Sequence, residues 1–285
     1  MDKIRIAMFT EFCLERHRVF VHKASGMPAP WTEDRILQAY RFCNVFRELD
    51  KVTVWIRENW RDHADTGGNL WFWMTVARLV NHPDTLFELS SMIALDDWKP
   101  EWFVRTMDKR AASGQKTFGS AYIVSTNGHA MPKPLYLAEH VLTPAWADRA
   151  RIQPTDTDTL RSFHERLMTV NGLGSFMAAQ VVADVKNSPM STLWNADDWW
   201  VWAAPGPGSI RGLARVVNGS VDAKVPPRMF LPNLLVLRAH VNRAFKARGW
   251  SMVCAQDLQN CLCEYDKYER TRLGEGRPKQ GYAGT

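Results

Sequence analysis

The chain lacks most of the features that would settle its class at a glance. No run of about 18 apolar residues occurs in its 285 residues, so no segment reads as a membrane span. Residues 1–12 mix acids and bases and have no apolar stretch ending in a small-residue cleavage site, so no signal peptide is expected. The five cysteines, Cys13, Cys43, Cys254, Cys261 and Cys263, are odd in number and contain no CxxC pair. Cys261-Leu262-Cys263 lacks zinc-ligand spacing, and reduced thiols in a cytosolic protein are the expectation. His140, His164 and His240 are isolated, so no Ser/His/Asp order can be assigned. No metal-ligand spacing is present. The phosphate-binding pattern GxxxxGK[ST] is absent, and Ser113-Gly114-Gln115-Lys116-Thr117 is only an echo of it. There is no internal repeat and no low-complexity linker.

What is present is a helical pattern. With 46% apolar residues the chain can bury a full core, as one helical domain over 1–285 or as two intimate lobes with a cleft. Thr32 followed by Glu33 and Asp34 suits a helix start, and apolar positions from Ile36 to Leu49 recur at helical spacing. Further helices are expected over Val52–Trp60, Leu70–Val80, Thr85–Leu95, Glu101–Ala112, Leu135–Val141, Thr157–Val170, Phe176–Lys186, Phe230–Lys246 and Ala255–Arg272. Asp156 or Asp158 is the expected cap of the helix that follows them. The only good strand candidate is Ser120–Ser125, followed by an Asn127-Gly128 turn. The tail over 274–285, polar and glycine-rich, is expected to be mobile. The fold class read from this pattern is mainly α.

Five constellations carry possible chemistry. Gly172-Leu173-Gly174 between two helices, with Ser175 opening the second, has the layout of a helix-hairpin-helix element whose turn amides face a phosphate. A lone GxG serves equally as an ordinary helix end. Asp184 ends a small apolar helix face beside Lys186, and Asp197 and Asp198 stand among Trp194, Trp199, Trp200 and Trp202. These acids are candidate bases, or else a solvated helix end and a turn cap. Gly206-Pro207-Gly208-Ser209-Ile210-Arg211-Gly212 could bring backbone and a guanidinium to a phosphate, or be a structural turn in which Ser209 caps the next helix. Arg41, Asn44, Arg47 and Glu48 would share one face of the expected helix, lining a cleft or forming an internal salt-bridged face. Asp257, Asn260 and Glu264 share another, followed by Lys267 and Tyr268; a surface helix would look the same.

The charge is uneven. Between Gly208 and Trp250 stand Arg211, Arg215, Lys224, Arg228, Arg238, Arg243, Lys246 and Arg248 against the single acid Asp222, a local +7 in a chain of net +6. Such a stretch fits a polyanion partner or a solvated basic helix.

In this order the pieces RFCNVFRELD, NGLGSFMAAQVVADV, the acid-Trp stretch leading to GPGSIRGL, and LCEYDKY resemble the α-glutamyl/putrescinyl thymine pyrophosphorylases, the amino acid:DNA transferases of bacteriophages. The resemblance runs from about Thr32 to Tyr268, and a related helical domain accompanies phage 5-hydroxymethyluracil DNA kinases. The missing GxxxxGK[ST] argues against a self-sufficient kinase. The resemblance implies a DNA-glycosylase-like helical fold acting on double-stranded DNA that contains 5-(pyrophosphoryloxymethyl)deoxyuridine. A free amino acid, with glycine the family's suggestion, would displace pyrophosphate from the exocyclic methylene. The enzyme would be a monomer in the cytoplasm of the infected host, with no membrane partner. No cofactor is implied, and a divalent metal such as magnesium is not indicated by the residues.

The roles that follow are expectations. Asp184, Asp197 or Asp198 would take the amine proton. Arg41, Asn44, Arg47, Lys186, Ser209, Arg211, Glu264 and Lys267 would contact substrate, while Trp199 and Trp200 would stack the extruded base. Gly172, Gly174, Ser175, Gly206, Gly208, Arg215, Arg238 and Arg243 would hold DNA. Ser175–Gln180 contains no lysine, so a Schiff-base lyase is not expected. A monofunctional glycosylase using Asp198 and a non-catalytic DNA-binding protein are the alternatives.

Overall fold

A computed structural model of the chain describes residues 2–63, 68–121, 125–276 and 278. These are mainly α-helical and include no strand. The strand candidate falls largely on residues 122–124, outside the described residues, as does most of the 274–285 tail. The turn after the strand candidate is described: Asn127 and Gly128 both take left-handed backbone, φ 50° and 84°.

The chain divides into two compact units, one of Met1–Asp50 with Trp200–Thr285 and one of Lys51–Trp199. The first unit begins with α1 (Lys3–Ala24) and α2 (Arg35–Ala39). The second holds α3 (Lys51–Asn59), α4 (Leu70–Val80), α5 (Pro83–Ala94), α6 (Pro100–Ala112) and α7 (Lys133–Tyr136). It continues through a π-helical turn (Leu137–Leu142), α8 (Thr143–Ala147), α9 (Arg149–Ile152), α10 (Leu160–Leu167) and α11 (Ser175–Lys186). The first unit then resumes with α12 (Pro207–Asn218), α13 (Phe230–Lys246) and α14 (Ala255–Arg272). No helix among the described residues is long and apolar enough to cross a membrane.

In the first unit, Phe9, Phe12 and Cys13 of α1 bury against Leu237, Val241 and Phe245 of α13 and Leu258, Cys261, Leu262 and Tyr265 of α14. Helix α12 lies directly on α14, and glycine makes that approach possible. A Cβ on Gly212 would stand 1.9 Å from the Leu262 carbonyl oxygen, and one on Gly208 would stand 2.4 Å from Cys263 Sγ. Both residues that the sequence offers to a phosphate therefore serve as the flat face on which α14 lies.

The second unit is centred on α4, all eleven of whose residues are buried, packed along α11. Asn81 ends α4 in left-handed backbone, φ 48°.

The helix expected from Thr32 to Leu49 stops at Ala39. Its cap is Asp34, whose Oδ1 accepts the Ile36 and Leu37 amides; Thr32 instead donates to Glu15 at 2.6 Å. Beyond Ala39 the backbone amides find carboxylates in place of helical carbonyls. The Cys43 amide donates to Glu264, that of Asn44 to Asp50 and that of Arg47 to Asp257, at 3.1, 2.8 and 3.1 Å. Arg41, Asn44, Arg47 and Glu48 accordingly share no helix face. Two other caps differ from expectation. Thr159, not Asp156 or Asp158, caps α10, and Gly206 is the N-cap position of α12, with Ser209 one turn inside accepting from the Gly206 amide.

Gly212→Ala is expected to cost about 3 kcal/mol because its Cβ meets backbone that cannot move aside. Gly174→Ser, at a position with nothing within 4 Å of a built Cβ and at the N-cap of α11, should leave the melting temperature unchanged or raise it. Thermal denaturation followed by circular dichroism checks both.

Candidate functional site

In the second unit, α10 and α11 pack against each other across the turn Asn171–Gly174. Gly172 is left-handed, φ 81°, and a Cβ there would stand 2.7 Å from Val141 Cγ2 in the π-helical turn. Leu173 between the two glycines is buried, whereas Gly174 is exposed. Asn171 Nδ2 donates to the His140 carbonyl at 2.9 Å. His164 Nε2 pairs with the Ser175 carbonyl at 2.9 Å and straps α10 to the first residue of α11. Burial lowers the pKa of that imidazole, which favours the neutral ring. Gly174 gives α11 no side-chain cap, so the turn presents backbone.

Two of the three candidate acids of this unit are employed by the fold. Asp184 is fully buried, and both its oxygens accept from Arg78: Nε to Oδ2 at 2.5 Å and Nη2 to Oδ1 at 2.6 Å. Arg78 Nη2 also reaches Thr53 Oγ1 at 3.2 Å. Asp198 accepts the Leu160 and Arg161 amides at 2.7 and 3.1 Å, a carboxylate set on the positive end of α10. Asp197 is exposed. Lys186 is buried, with its ammonium 3.9 Å from the Trp199 ring centroid and 3.2 Å from the Trp199 carbonyl oxygen. The Trp199 indole donates back to the Lys186 carbonyl at 3.1 Å.

In the first unit, two constellations far apart in sequence meet. Glu264 Oε2 accepts from the Cys43 amide and, at 2.8 Å, from Lys267, whose ammonium also donates to the Arg41 carbonyl at 2.6 Å and lies 4.4 Å from the Phe42 ring. Asn44 Nδ2 donates to the Leu49 carbonyl at 2.7 Å. Arg47 is buried beside Glu48, while Arg41 is exposed. Buried Arg16 donates Nη2 to the Cys43 carbonyl. Beside this segment, burial pushes the Asp50 carboxyl from 3.8 up to about 6, against the lowering pull of the Asn44 amide, Arg16 and Arg47.

The glycine-proline turn of the first unit is tightly bonded. Ser209 is buried, and its hydroxyl accepts from the Gly206 amide and Gln259 and donates to the Gly206 carbonyl, which uses its whole capacity. Gly206 is half-buried. On α12, Arg211 and Arg215 both turn to Asp266 of α14. Arg238 donates to the Val253 carbonyl at 3.1 Å and lies 6.0 Å from the ring of Trp200, which is exposed; Arg243 is exposed in the last turn of α13. Among the described residues, no group of three or more His, Cys, Asp or Glu side chains could hold a metal ion.

Residues 3–277 match the family model described as 5-hmdU DNA kinase, helical domain. The chain belongs to this family. A 5-hmdU DNA kinase of Bacillus phage SP10 is 23% identical over 222 residues, which are 71% of this chain and 34% of the phage protein. The chain thus matches about a third of that relative's length. No solved structure matches. The family found is the helical domain that the transferase resemblance named as a relative.

Sequence reasoning missed Arg78, His164 and Asp266 as organising residues. Arg78 had a legible signal: it is the one charge in Leu70–Val80, and a charge inside a wholly apolar helix implies a buried counter-charge. Asp266 sits in a run of mixed charges and carries no such mark.

Asp184→Asn leaves Arg78 buried without its counter-charge and should cost about 3–5 kcal/mol in urea unfolding. Asp198→Asn weakens one helix-end contact and should cost about 1 kcal/mol. Because the folded state holds the Asp50 proton more tightly than the unfolded chain, this residue's contribution is fully present below pH 3.8 and is lost as pH rises through about 6. Comparing wild-type and Asp50→Asn stability between pH 4 and 7 should show a downward slope in the first that the second lacks.

Proposed function

We propose that this chain acts in bacteriophage thymidine hypermodification, transferring an amino acid, glycine in the first instance, to the 5-methylene carbon of 5-(pyrophosphoryloxymethyl)deoxyuridine in DNA. The observation that supports the reading is the match of residues 3–277 to the helical domain of the 5-hmdU DNA kinases, whose name puts phosphorylation on the hydroxyl of a hydroxymethylated DNA base. A hydroxymethyl group is a poor electrophile. Once esterified by phosphate or pyrophosphate it has a leaving group, and an amine can displace it. The amine nitrogen forms the new C–N bond, the C–O bond breaks with its electron pair on pyrophosphate, and the amine's proton passes to a base.

The geometry narrows the assignments. Asp184 is bound by Arg78 and Asp198 by the start of α10, so Asp197, exposed, is the carboxylate we assign to accept the amine proton. The Gly172–Gly174 turn, with Leu173 tucked inward and the start of α11 free of a side-chain cap, is the backbone grip for a DNA phosphate. Trp200, exposed, can stack a base drawn out of the duplex. Double-stranded DNA and a free amino acid are the partners under this reading, with the protein working as a monomer in the cytoplasm of the infected host.

The test uses duplex DNA carrying pyrophosphorylated 5-hydroxymethyluracil, incubated with the protein and each amino acid, digested, and read by nucleoside mass spectrometry. An aminoacylated thymidine, formed with glycine and reduced at least 100-fold in Asp197→Asn, is the expected product. Unchanged nucleosides with every amino acid would sink the transferase reading, and release of a free base would put a monofunctional glycosylase in its place.

A further inference from the structure

A cluster of guanidinium groups stands where α12 meets α14. Asp266 is 1% exposed and faces three arginines. Arg211 Nε stands 2.8 Å from its Oδ2, Arg215 Nε 2.9 Å from its Oδ1, and Arg270 Nε 3.5 Å from Oδ2. Arg215 is buried, and its Nη2 goes on to Glu275 at 2.6 Å. Three guanidinium groups thus meet two carboxylates, which leaves one positive charge in excess.

The excess has a direction. Arg211 and Arg270 approach the same carboxylate oxygen through Nε, with side chains 47% and 39% exposed. Among the described residues, the terminal Nη groups of both make no hydrogen bond, so each half-exposed side chain keeps its donors for a ligand within ion-pair reach of the same carboxylate. A guanidinium fork matches two oxygens of a phosphoryl group. Arg211 also lines a cavity of about 440 Å³, otherwise walled by residues such as Pro205, Ile210, Val225 and Phe230, in which Lys224 is the only other charged residue. No acid lines it.

The position of Arg211 is built into the fold. Gly208 and Gly212 let α12 lie on α14, which brings Arg211 within reach of an aspartate one turn before Arg270. Asp266 accepts a hydrogen bond from Arg211 and holds Arg270 at ion-pair distance, with the Arg270 Nε itself buried and, among the described residues, without a hydrogen-bond acceptor.

We propose that Arg211 and Arg270 form a phosphoryl-oxyanion site, with Asp266 as its buried counter-charge. The ligand is a phosphate-bearing group, either pyrophosphate or a phosphodiester of DNA. Under the transfer reaction proposed for this chain, on which that assignment rests, the displaced pyrophosphate is the natural occupant.

Isothermal titration of the full chain with inorganic pyrophosphate, and separately with a duplex oligonucleotide, tests the site. Arg211→Gln and Arg270→Gln should each weaken one of the two ligands at least 10-fold, and the ligand affected identifies the source of the oxyanion. Lys51→Gln, an exposed cation of the second unit, is the control and should change neither. Binding of both ligands at wild-type strength by both arginine variants overturns the site, as does failure of the wild-type chain to bind either. Amino acid transfer without any pyrophosphate or duplex binding would overturn the site and leave the transferase reading standing. Pyrophosphate binding lost in both variants, with no transfer on any substrate, would do the reverse.

Discussion

A carboxylate taken out of water has to be neutralised where it stands, and each unit of this chain is arranged around one that is. Leaving such a charge unpaired would cost several kcal/mol, a large share of a domain's net stability. In the second unit the requirement is met by Arg78 on Asp184, two parallel bonds of 2.5 and 2.6 Å with no solvent access. That pair fixes α11 against α4 in rotation as well as in position. The turn at one end of α11 and Lys186 at the other inherit their places from it. In the first unit Asp266 imposes the same demand on α12. The α12 arginines Arg211 and Arg215 reach the aspartate because Gly212 lets α12 lie on the backbone of α14 at Leu262 and Gly208 makes room for the Cys263 side chain.

The helices were legible to the extent that their apolar stripes were uninterrupted. Leu70–Val80, Phe230–Lys246 and Ala255–Arg272 have the bounds that periodicity predicts. The long α1 escaped notice because Arg16 and His17 sit on its buried side among the phenylalanines, which blurs the stripe. The segment after Ala39 was misread for the opposite reason. Its apolar spacing is helical, but Glu264, Asp50 and Asp257 take the amides that a helix would have paired within itself. Two of those three acids lie more than 200 residues away, and no local pattern carries that information.

Residue type and spacing pick out candidates for the site but do not show which of them are occupied by the fold. Glu264 and Lys267 meet the 41–44 segment, a contact that neither helical spacing nor the order of the motifs foretold. Ser209 and Lys186, both expected to contact substrate, are buried in bonds of their own. A hydroxyl or ammonium looks the same in sequence whether it faces a ligand or a carbonyl. The difference lies in burial, which depends on packing partners that a single sequence does not identify.

The concentration of positive charge between Gly208 and Trp250 also changes meaning once its members are placed. Arg211 and Arg215 answer Asp266, and Arg238 answers the Val253 carbonyl. Arg243 and Lys246 occupy the last turn of α13, where cations are favoured by the helix's own dipole. A local charge of +7 therefore does not describe a uniform face for a polyanion. Against that background, the glycines of the α10–α11 turn differ from one another. Gly172 needs both its left-handed backbone and its clearance from Val141, and the fold alone accounts for it. Gly174 has φ −75° and open space around it, so neither strain nor crowding requires glycine, and a serine would cap α11 better. A missing side chain that the fold does not need, at a helix start that no side chain caps, is what close approach of a ligand to backbone requires.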